Sequence, residues 1–192
     1  MILGLTGPTG AGKSTVAAVA PQCGYTVIDC DALAHTVTAA GEPLAALVRE
    51  FGEGILREDG TLDRRALAGL AFAGKSHTER LNRTVLPFIL DEIRRQLNAL
   101  KGRDVLLDAP TLYESGADAL CDKVIAVVSD RELRIERIIR RDKISTFMAL
   151  LRISAGQPDA FYREKADILL ENNGTEAEFA ETARRVLVKE RL

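Results

Sequence analysis

One short stretch near the beginning of the chain constrains its fold more than any other. Residues 7–14 read GPTGAGKS and fit G-x-x-x-x-G-K-[ST], the pattern of a phosphate-binding loop, or P-loop. An apolar run, residues 1–6, precedes the motif and an alanine-rich stretch follows it, which predicts a strand, a turn and a helix. Glycines in such a turn let backbone N–H groups converge on anionic oxygens. The segment therefore predicts a nucleotide-binding site, with an ordinary surface turn as the alternative.

The P-loop pattern also predicts what individual residues do. We expect Lys13 to contact the β- and γ-phosphates of a bound nucleotide, and Ser14 to hold Mg²⁺. The other loop residues that we expect to bind the nucleotide are Gly7, Thr9, Gly10, Ala11, Gly12 and Thr15.

The rest of the chain alternates short apolar runs with longer helical patterns. Further strands are predicted at 26–29, 104–108, 123–128 and 167–171. Helices are predicted at 14–22, 31–38, 43–51, 64–73, 77–100, 130–142 and 176–190. This alternation favours an α/β fold with a five-stranded parallel sheet flanked by helices. Two intervals, 30–103 and about 143–165, are longer than a simple crossover needs and indicate insertions.

Acidic residues follow two of the predicted strands. Asp29 and Asp31 lie two residues apart, so their carboxylates would face the same side if the strand continued. Ligands bind beyond the carboxyl ends of parallel strands, where one carboxylate could accept a proton from a hydroxyl and the other could orient Mg²⁺ through water. Capping of the next helix is the alternative. Asp108 ends the third strand at the same edge, and Glu114 follows in a predicted loop.

A basic helix is predicted near the last third of the chain. Arg134, Arg137 and Arg141 share one face, and Ile135, Ile138 and Ile139 occupy the adjacent face. Residues 131–143 carry six basic and three acidic side chains, although the whole chain has a net charge of −2. Guanidinium groups suit the neutralisation of a moving phosphoryl group, and a solvated charged face is the alternative.

Composition excludes several classes of protein. With 26 Lys and Arg against 28 Asp and Glu, the chain has no excess charge for nonspecific nucleic-acid binding. No apolar run approaches the roughly 20 residues that span a bilayer, and no export signal is apparent, so we expect a cytoplasmic protein with no membrane association and no obligate protein partner. Cys23, Cys30 and Cys121 are predicted to be buried or half-buried thiols, while His35 and His77 lack partners at metal-ligand spacing.

Several longer segments occur in one order and together resemble the dephospho-CoA kinase family. They are LTGPTGAGKSTVA, VIDCDALAH, FGEGILREDGTLDRRALAGLAF, LNRTVLPFI, LLDAPTLYESG, RIERIIRRD and ADILLENNG, and they cover nearly the whole chain. The resemblance implies transfer of phosphate from ATP, with Mg²⁺, to the ribose 3′-hydroxyl of dephospho-CoA, giving CoA and ADP. The alternatives are another small-molecule kinase of the same architecture, acting on a nucleoside, nucleotide or sugar, and a non-catalytic nucleotide-binding module.

The resemblance also implies an architecture and residue roles. A single P-loop kinase domain over residues 1–192 would comprise a core (1–30, 103–136 and 166–192), a helical CoA-binding insertion (about 31–102) and a small lid (about 137–165). Asp31 would be the catalytic base, assisted by Lys13, Arg137 and Arg141, and Asp29 would reach Mg²⁺ through water. Asn173 and Gly174 would lie near adenine. The residues implied to bind the acceptor are Asp31, His35, Asp63, Arg64, Asn82, Pro110 and Glu114.

Several positions depart from the family pattern, including Pro8-Thr9 in the loop, where Gly-Ile is usual. Leu86 stands where histidine usually precedes Pro87, Thr111 interrupts a usual PLLFE-type segment, and Gly156 replaces a common glutamine. Because none of these is Lys13 or Asp31, the departures bear on acceptor affinity more than on phosphoryl transfer.

Overall fold

The described part of the chain, residues 1–71 and 74–191 of a computed structural model, contains a parallel five-stranded sheet in the order β2-β3-β1-β4-β5. The strands are β1 (Ile2–Thr6), β2 (Thr26–Asp29), β3 (Val105–Asp108), β4 (Lys123–Val128) and β5 (Ile168–Glu171). They coincide with the five predicted strands within a residue at each end. Buried Val, Ile and Leu side chains dominate the central strands, as expected for strands covered on both faces.

The helices include all seven predicted elements. They are α1 (Lys13–Val19), α2 (Cys30–Val37), α3 (Gly41–Phe51), α4 (Arg64–Ala71), α5 (Lys75–Ala99), α6 (Leu112–Ser115), α7 (Arg131–Asp142), α8 (Thr146–Ser154), α9 (Asp159–Lys165) and α10 (Glu176–Glu190). The end of the predicted helix 64–73 and the last residue of the predicted core fall at residues 72, 73 and 192, outside the described residues. Helices α6, α8 and α9 were not predicted.

The chain forms two compact units. The sheet unit contains Met1–Asp29 and Leu100–Leu192, and the helical unit contains Cys30–Ala99. In the sheet unit, α1 and α10 pack with β1, so that Leu5, Val16 and Phe179 belong to one buried cluster. The capping box of Thr175 and Glu178 begins α10. Phe179, Ala183 and Leu187 of this helix all belong to the buried cluster.

The helical unit is built around the long helix α5, against which α2, α3 and α4 pack. Its buried side chains include Leu47, Ile55, Leu67, Val85 and Ile93. The chain turns at Asp59 and Gly60, and Leu56 and Leu62 form a short antiparallel bridge on either side of this turn. Within residues 1–71 and 74–191, no helix has both the length and the apolar character needed to cross a membrane.

Two local expectations differ from the structure. Strand β2 ends at Asp29 and α2 begins at Cys30, so Asp31 lies on a helix and does not share a sheet face with Asp29. Glu114 lies in the short helix α6 rather than in a loop. The predicted burial of the cysteines is confirmed, since Cys23 and Cys30 are buried and Cys121 is half-buried. Burial raises the pKa of the Cys121 thiol to about 12.

Candidate functional site

The predicted phosphate-binding loop is a tight turn between β1 and α1. Gly7 and Gly12 have φ angles of 140° and 106°, which favour glycine strongly. Space imposes the same requirement, because a Cβ on Gly7 would collide with the carbonyl oxygen of Val127, and a Cβ on Gly12 would collide with the side-chain amide of Asn172. At Gly7 and Gly12 the turn therefore accommodates backbone without a side chain.

Lys13 and its neighbours lie where the loop meets the helix. The Lys13 ammonium donates to the carbonyl oxygen of Gly7 at 3.0 Å, which joins the two ends of the loop. Ser14 is exposed in the first turn of α1, and the amide of Thr15 donates to the carbonyl of Gly12 at 3.1 Å. The sequence-predicted loop residues are thus brought together in one turn.

These residues fit a nucleoside triphosphate with Mg²⁺. A cradle of backbone from which side chains are sterically excluded suits the close approach of phosphate oxygens, and an adjacent ammonium supplies opposite charge. The Ser14 hydroxyl is a hard oxygen donor of the kind that Mg²⁺ takes beside phosphate oxygens and waters. Among the residues that the structure describes, no three His, Cys, Asp or Glu side chains cluster as a metal site.

A buried polar network supports the back of the loop. The side-chain amide of Asn172 donates to the carbonyl of Ala11 at 2.8 Å. Arg137 donates to the Ser129 hydroxyl at 2.9 Å and to the Asn172 carbonyl at 3.0 Å, with a longer contact of 3.5 Å to Ala11. Partial burial, aided by the neighbouring Arg140, lowers the pKa of the Arg137 guanidinium. Arg137 thus bonds to the protein backbone beneath the loop, and its contact with phosphate stays a prediction.

The second predicted lid arginine is in a different environment. Arg141 is exposed and donates twice to the Asp142 carboxylate, at 2.7 and 2.9 Å. These bonds raise the pKa of Arg141 and lower that of Asp142, which also accepts from Arg152. The bonds to Asp142 use Nε and Nη2 of Arg141, and its contact with phosphate stays a prediction.

Carboxyl ends of three strands meet at the loop's edge of the sheet. Asp29 on β2 pairs in register with Asp108 on β3, and Asp108 pairs with Leu5 on β1, just before the loop. The Thr6 hydroxyl donates to the carbonyl of Pro110 at 3.2 Å, which fixes the segment after β3. Asp29 is therefore at the edge where parallel sheets bind ligands, as predicted.

The loop after β5 carries the residues that the family resemblance relates to adenine. Asn173 accepts from the amide of Asp130 at 2.9 Å and donates to its carboxylate at 3.0 Å. A Cβ on Gly174 would lie 2.8 Å from the carboxylate of Glu178, so this position is also crowded. Hydrogen bonds from Thr175 lower the pKa of Glu178.

The helical unit holds most of the residues implied to bind the acceptor. Arg64 donates to the carbonyl of His35 at 2.5 Å and to the Thr38 hydroxyl at 3.2 Å, so it ties α4 to α2. Asp31 and His35 are exposed on α2, and Asn82 is half-buried on α5.

Asp63 has a local role that its sequence position also explains. Its carboxylate accepts from the amides of Arg65 and Ala66 at 2.9 and 3.0 Å, which caps the start of α4. The bond from Ala66 is the main cause of the lowered pKa of Asp63. Capping and acceptor binding are compatible, because a carboxylate that accepts two bonds has further acceptor capacity.

Three residues hold the loop in ways that the sequence does not predict. Arg134 is predicted as part of a phosphate-neutralising face, but it is buried and bonds to the loop backbone. Asn172 is predicted only as part of ADILLENNG, and Ser129 has no predicted role. Ser129 donates to a residue 43 positions away in the chain, and the loop residues to which Arg134 and Asn172 donate are 125 and 161 positions away. No short sequence motif can link residues at such separations. The sequence does contain one indication for Arg134. This residue lies next to the isoleucines of α7, and both Arg134 and Ile138 are buried.

Comparison with known proteins agrees with this geometry. The family model described as Dephospho-CoA kinase matches residues 1–178. A dephospho-CoA kinase of Enterococcus faecalis is 37% identical, with coverage of 97% of this chain and 95% of that protein. One of Bacillus licheniformis is 40% identical, with coverage of 91% and 89%.

Solved structures are similar over the full length. A protein from Thermus thermophilus has a TM-score of 0.86 at 34% identity and covers 100% of this chain and 98% of its own. The dephospho-CoA kinase of Campylobacter jejuni has a TM-score of 0.65 at 24% identity, covering 98% and 96%. Shikimate kinase from Acinetobacter baumannii has a TM-score of 0.58 at 19% identity, with coverage of 100% of this chain and 94% of that protein. This similarity shows the shared fold alone. The predicted fold is confirmed, and the chain belongs to the dephospho-CoA kinase family.

Proposed function

We propose that this chain transfers the γ-phosphoryl group of ATP to the ribose 3′-hydroxyl of dephospho-CoA, giving CoA and ADP in the last step of coenzyme A biosynthesis. The family match over residues 1–178, together with a P-loop whose backbone is held open for phosphate, carries the proposal. The chain covers 95% of the length of the Enterococcus faecalis relative and 89% of the Bacillus licheniformis relative.

On the donor side, the loop binds and orients the triphosphate. Backbone N–H groups of the glycine-rich turn bind phosphate oxygens, and Lys13 offsets charge on the β- and γ-phosphates. Ser14, with Asp29 acting through water, would hold Mg²⁺, which supplies electrostatic stabilisation of the phosphate oxygens when bound. Asn173 and Gly174 would contact the adenine. Phosphoryl transfer requires chiefly such positioning and charge neutralisation.

On the acceptor side, Asp31 takes the proton of the 3′-hydroxyl. The hydroxyl oxygen attacks the γ-phosphorus, the bond from that phosphorus to the β–γ bridging oxygen breaks, and ADP leaves with the electron pair. Exposure of Asp31 on α2 supports this role, since a general base must reach its substrate. Arg137 and Arg141 would engage the phosphates during transfer.

We assign acceptor binding to the helical insertion of about 31–102, and a lid to residues of about 137–165, with the rest as core. The family resemblance and the separate compact folding of Cys30–Ala99 support the first assignment. The candidate acceptor ligands are His35, Asp63, Arg64, Asn82, Pro110 and Glu114. Leu86, Thr111 and Gly156, which depart from the family pattern, would modulate acceptor affinity.

An ADP-release assay with a panel of acceptors tests the proposal. The panel contains dephospho-CoA, a nucleoside, a nucleotide and a sugar, each with ATP and Mg²⁺, and Lys13→Ala serves as the inactive control. We expect release that depends on dephospho-CoA. Release with another acceptor but not with dephospho-CoA would support a different small-molecule kinase, and tight ATP binding without turnover of any acceptor would support a non-catalytic module.

A further inference from the structure

Arg134 is a charged side chain in an unusually buried position. It lies on α7 with only 3% of its surface exposed, whereas its neighbours Arg131 and Arg140 are exposed. Arginine is rarely buried to this extent unless its charge is paired. Its hydrogen bonds therefore indicate what the buried guanidinium is for.

The guanidinium of Arg134 joins the phosphate-binding loop to a separate helix. Its Nε donates to the carbonyl oxygen of Thr9, inside the loop, at 2.9 Å. Its Nη1 donates to the carboxylate of Asp159, the first residue of α9, at 2.5 Å. The planar guanidinium can make both bonds at once because its donors have a fixed fork geometry.

The backbone of Arg134 also touches the loop. A Cβ on Gly10 would lie 2.9 Å from the Arg134 carbonyl oxygen, so Gly10 packs directly against the backbone of α7. Side chain and backbone of one residue therefore contact two successive loop residues, Thr9 and Gly10.

Anchoring the Thr9 carbonyl has a consequence for the donors of the loop. A trans peptide is planar, and its C=O and N–H point in opposite directions. A bond that holds the Thr9 carbonyl toward Arg134 therefore turns the Gly10 N–H away from Arg134. Asn172 constrains the peptide between Ala11 and Gly12 in the same manner, because its side-chain amide donates to the carbonyl of Ala11.

We propose that Arg134 and Asp159 form a positioning pair that sets the orientation of the P-loop amides for ATP. This inference rests on the proposed function, because it requires the loop to bind a triphosphate. Asp159 holds the guanidinium in the orientation from which it reaches Thr9, and Arg134 passes that constraint to the loop. The pair thereby links the start of α9, within the region assigned to the lid, to the affinity for ATP.

Calorimetric titration with a non-hydrolysable ATP analogue, without acceptor, tests the pair. Arg134→Met keeps much of the apolar stem and removes both hydrogen bonds, and we expect it to weaken binding about tenfold or more. Asp159→Ala should weaken binding severalfold, up to about tenfold, since its carboxylate is partly exposed. The double variant should resemble Arg134→Met alone, because Asp159 acts through Arg134.

Matched controls separate positioning from general stability. Arg163→Met removes an exposed ion pair with Glu171 from the same helix α9 and should leave ATP affinity unchanged. Thermal unfolding of each variant gives its folded fraction, and Asp159→Ala keeps the test decisive if Arg134→Met does not fold. Unchanged affinity in folded Asp159→Ala, or strictly additive effects in the pair, would overturn the inference. Absence of binding by the wild type would instead contradict the proposed donor site and, with it, the pair.

Discussion

The sheet unit and the helical unit hold their functional residues in different ways. In the sheet unit, the phosphate-binding loop is supported from behind by Arg134, Arg137 and Asn172, which contact it from more than a hundred positions away in the chain. In the helical unit, Asp63 caps the start of α4, and Arg64 bonds to the carbonyl of His35 on α2. Contacts that span more than a hundred positions support the donor residues, and contacts of shorter range support the acceptor candidates Asp63 and Arg64.

The difference teaches how each unit can respond to sequence change. A loop fixed by buried partners is preorganised, so little conformational entropy is lost when phosphate binds. Half-buried side chains such as Asn82 and Leu86 keep more rotamer freedom than fully buried ones, so the helical unit can accommodate changes at such positions. Variants in the two units should therefore fail in different ways.

The largest effect is expected in the helical unit, from Asp31→Asn. Loss of a general base should lower kcat by about 10² to 10⁴-fold while ATP affinity changes little. Steady-state kinetics and ATP titration measure the two quantities. Asp91→Asn, which alters another exposed aspartate of this unit, is the control and should retain activity. Wild-type turnover in Asp31→Asn would remove Asp31 from the mechanism.

Lys13→Ala should have the second largest effect on kcat, and unlike Asp31→Asn it should also lower the affinity for ATP. Loss of the ammonium weakens electrostatic stabilisation of the moving phosphoryl group, so kcat should fall by about 10² to 10³-fold. Affinity for ATP should fall in the same variant, unlike in Asp31→Asn. If ATP affinity is unaffected, the donor role of Lys13 is wrong and the contrast between the units is lost.

Asn172→Ala tests the support of the loop rather than the loop itself. The buried amide bonds to Ala11 and Arg137, and its removal leaves their polar groups without these bonds. The free energy of unfolding should drop by about 1–3 kcal/mol, with weaker ATP binding in the folded protein. Chemical denaturation provides the first value and titration the second. Neither quantity should change in Asn98→Ala, on an exposed face of α5.

The smallest effect concerns pH and compares Asp104 with Asp63. Hydrogen bonds from Arg191 and the N-terminal amine lower the pKa of Asp104, so its stabilisation is present above the ordinary aspartate pKa and is lost as pH falls through the lowered value. Asp104→Asn should cost at most about 1 kcal/mol near neutral pH, and the difference from the wild type should vanish in acid. Asp63→Asn should lower the free energy of unfolding by less than Asp104→Asn does, because asparagine also caps helices. Thermal unfolding across a range of pH measures this difference in stability between Asp104→Asn and the wild type. A difference that grew on acidification would contradict the prediction.

The sequence allowed prediction of the sheet and of the loop because both depend on local patterns. Short runs of Val, Ile and Leu located the strands, and the spacing of glycines, Lys13 and Ser14 located the phosphate turn. Helix α6 was not predicted because it has only four residues. In α8, exposed apolar side chains such as Phe147 obscure the helical period, so this helix was also not predicted.

The supporting residues could not be predicted for a physical reason. Asn172 and Arg134 act through tertiary hydrogen bonds, which depend on the strand order and on the packing of α7 beneath the loop. The strand at 26–29 and the helix at 31–38 could both be predicted, and the structure contains both. Whether the strand continued to Asp31 could not be predicted, because VIDCDAL also fits the alternation of a strand over these few residues.

The most direct test of the central claim is identification of the product formed from ATP and dephospho-CoA. Mass spectrometry and chromatography against authentic CoA would give both the added phosphoryl group and its position on the ribose. We predict a product identical to CoA, formed in equal amount to ADP and formed at least about a hundredfold more slowly by Asp31→Asn. ADP formation without a phosphorylated acceptor, or phosphorylation at a different hydroxyl, would contradict the account.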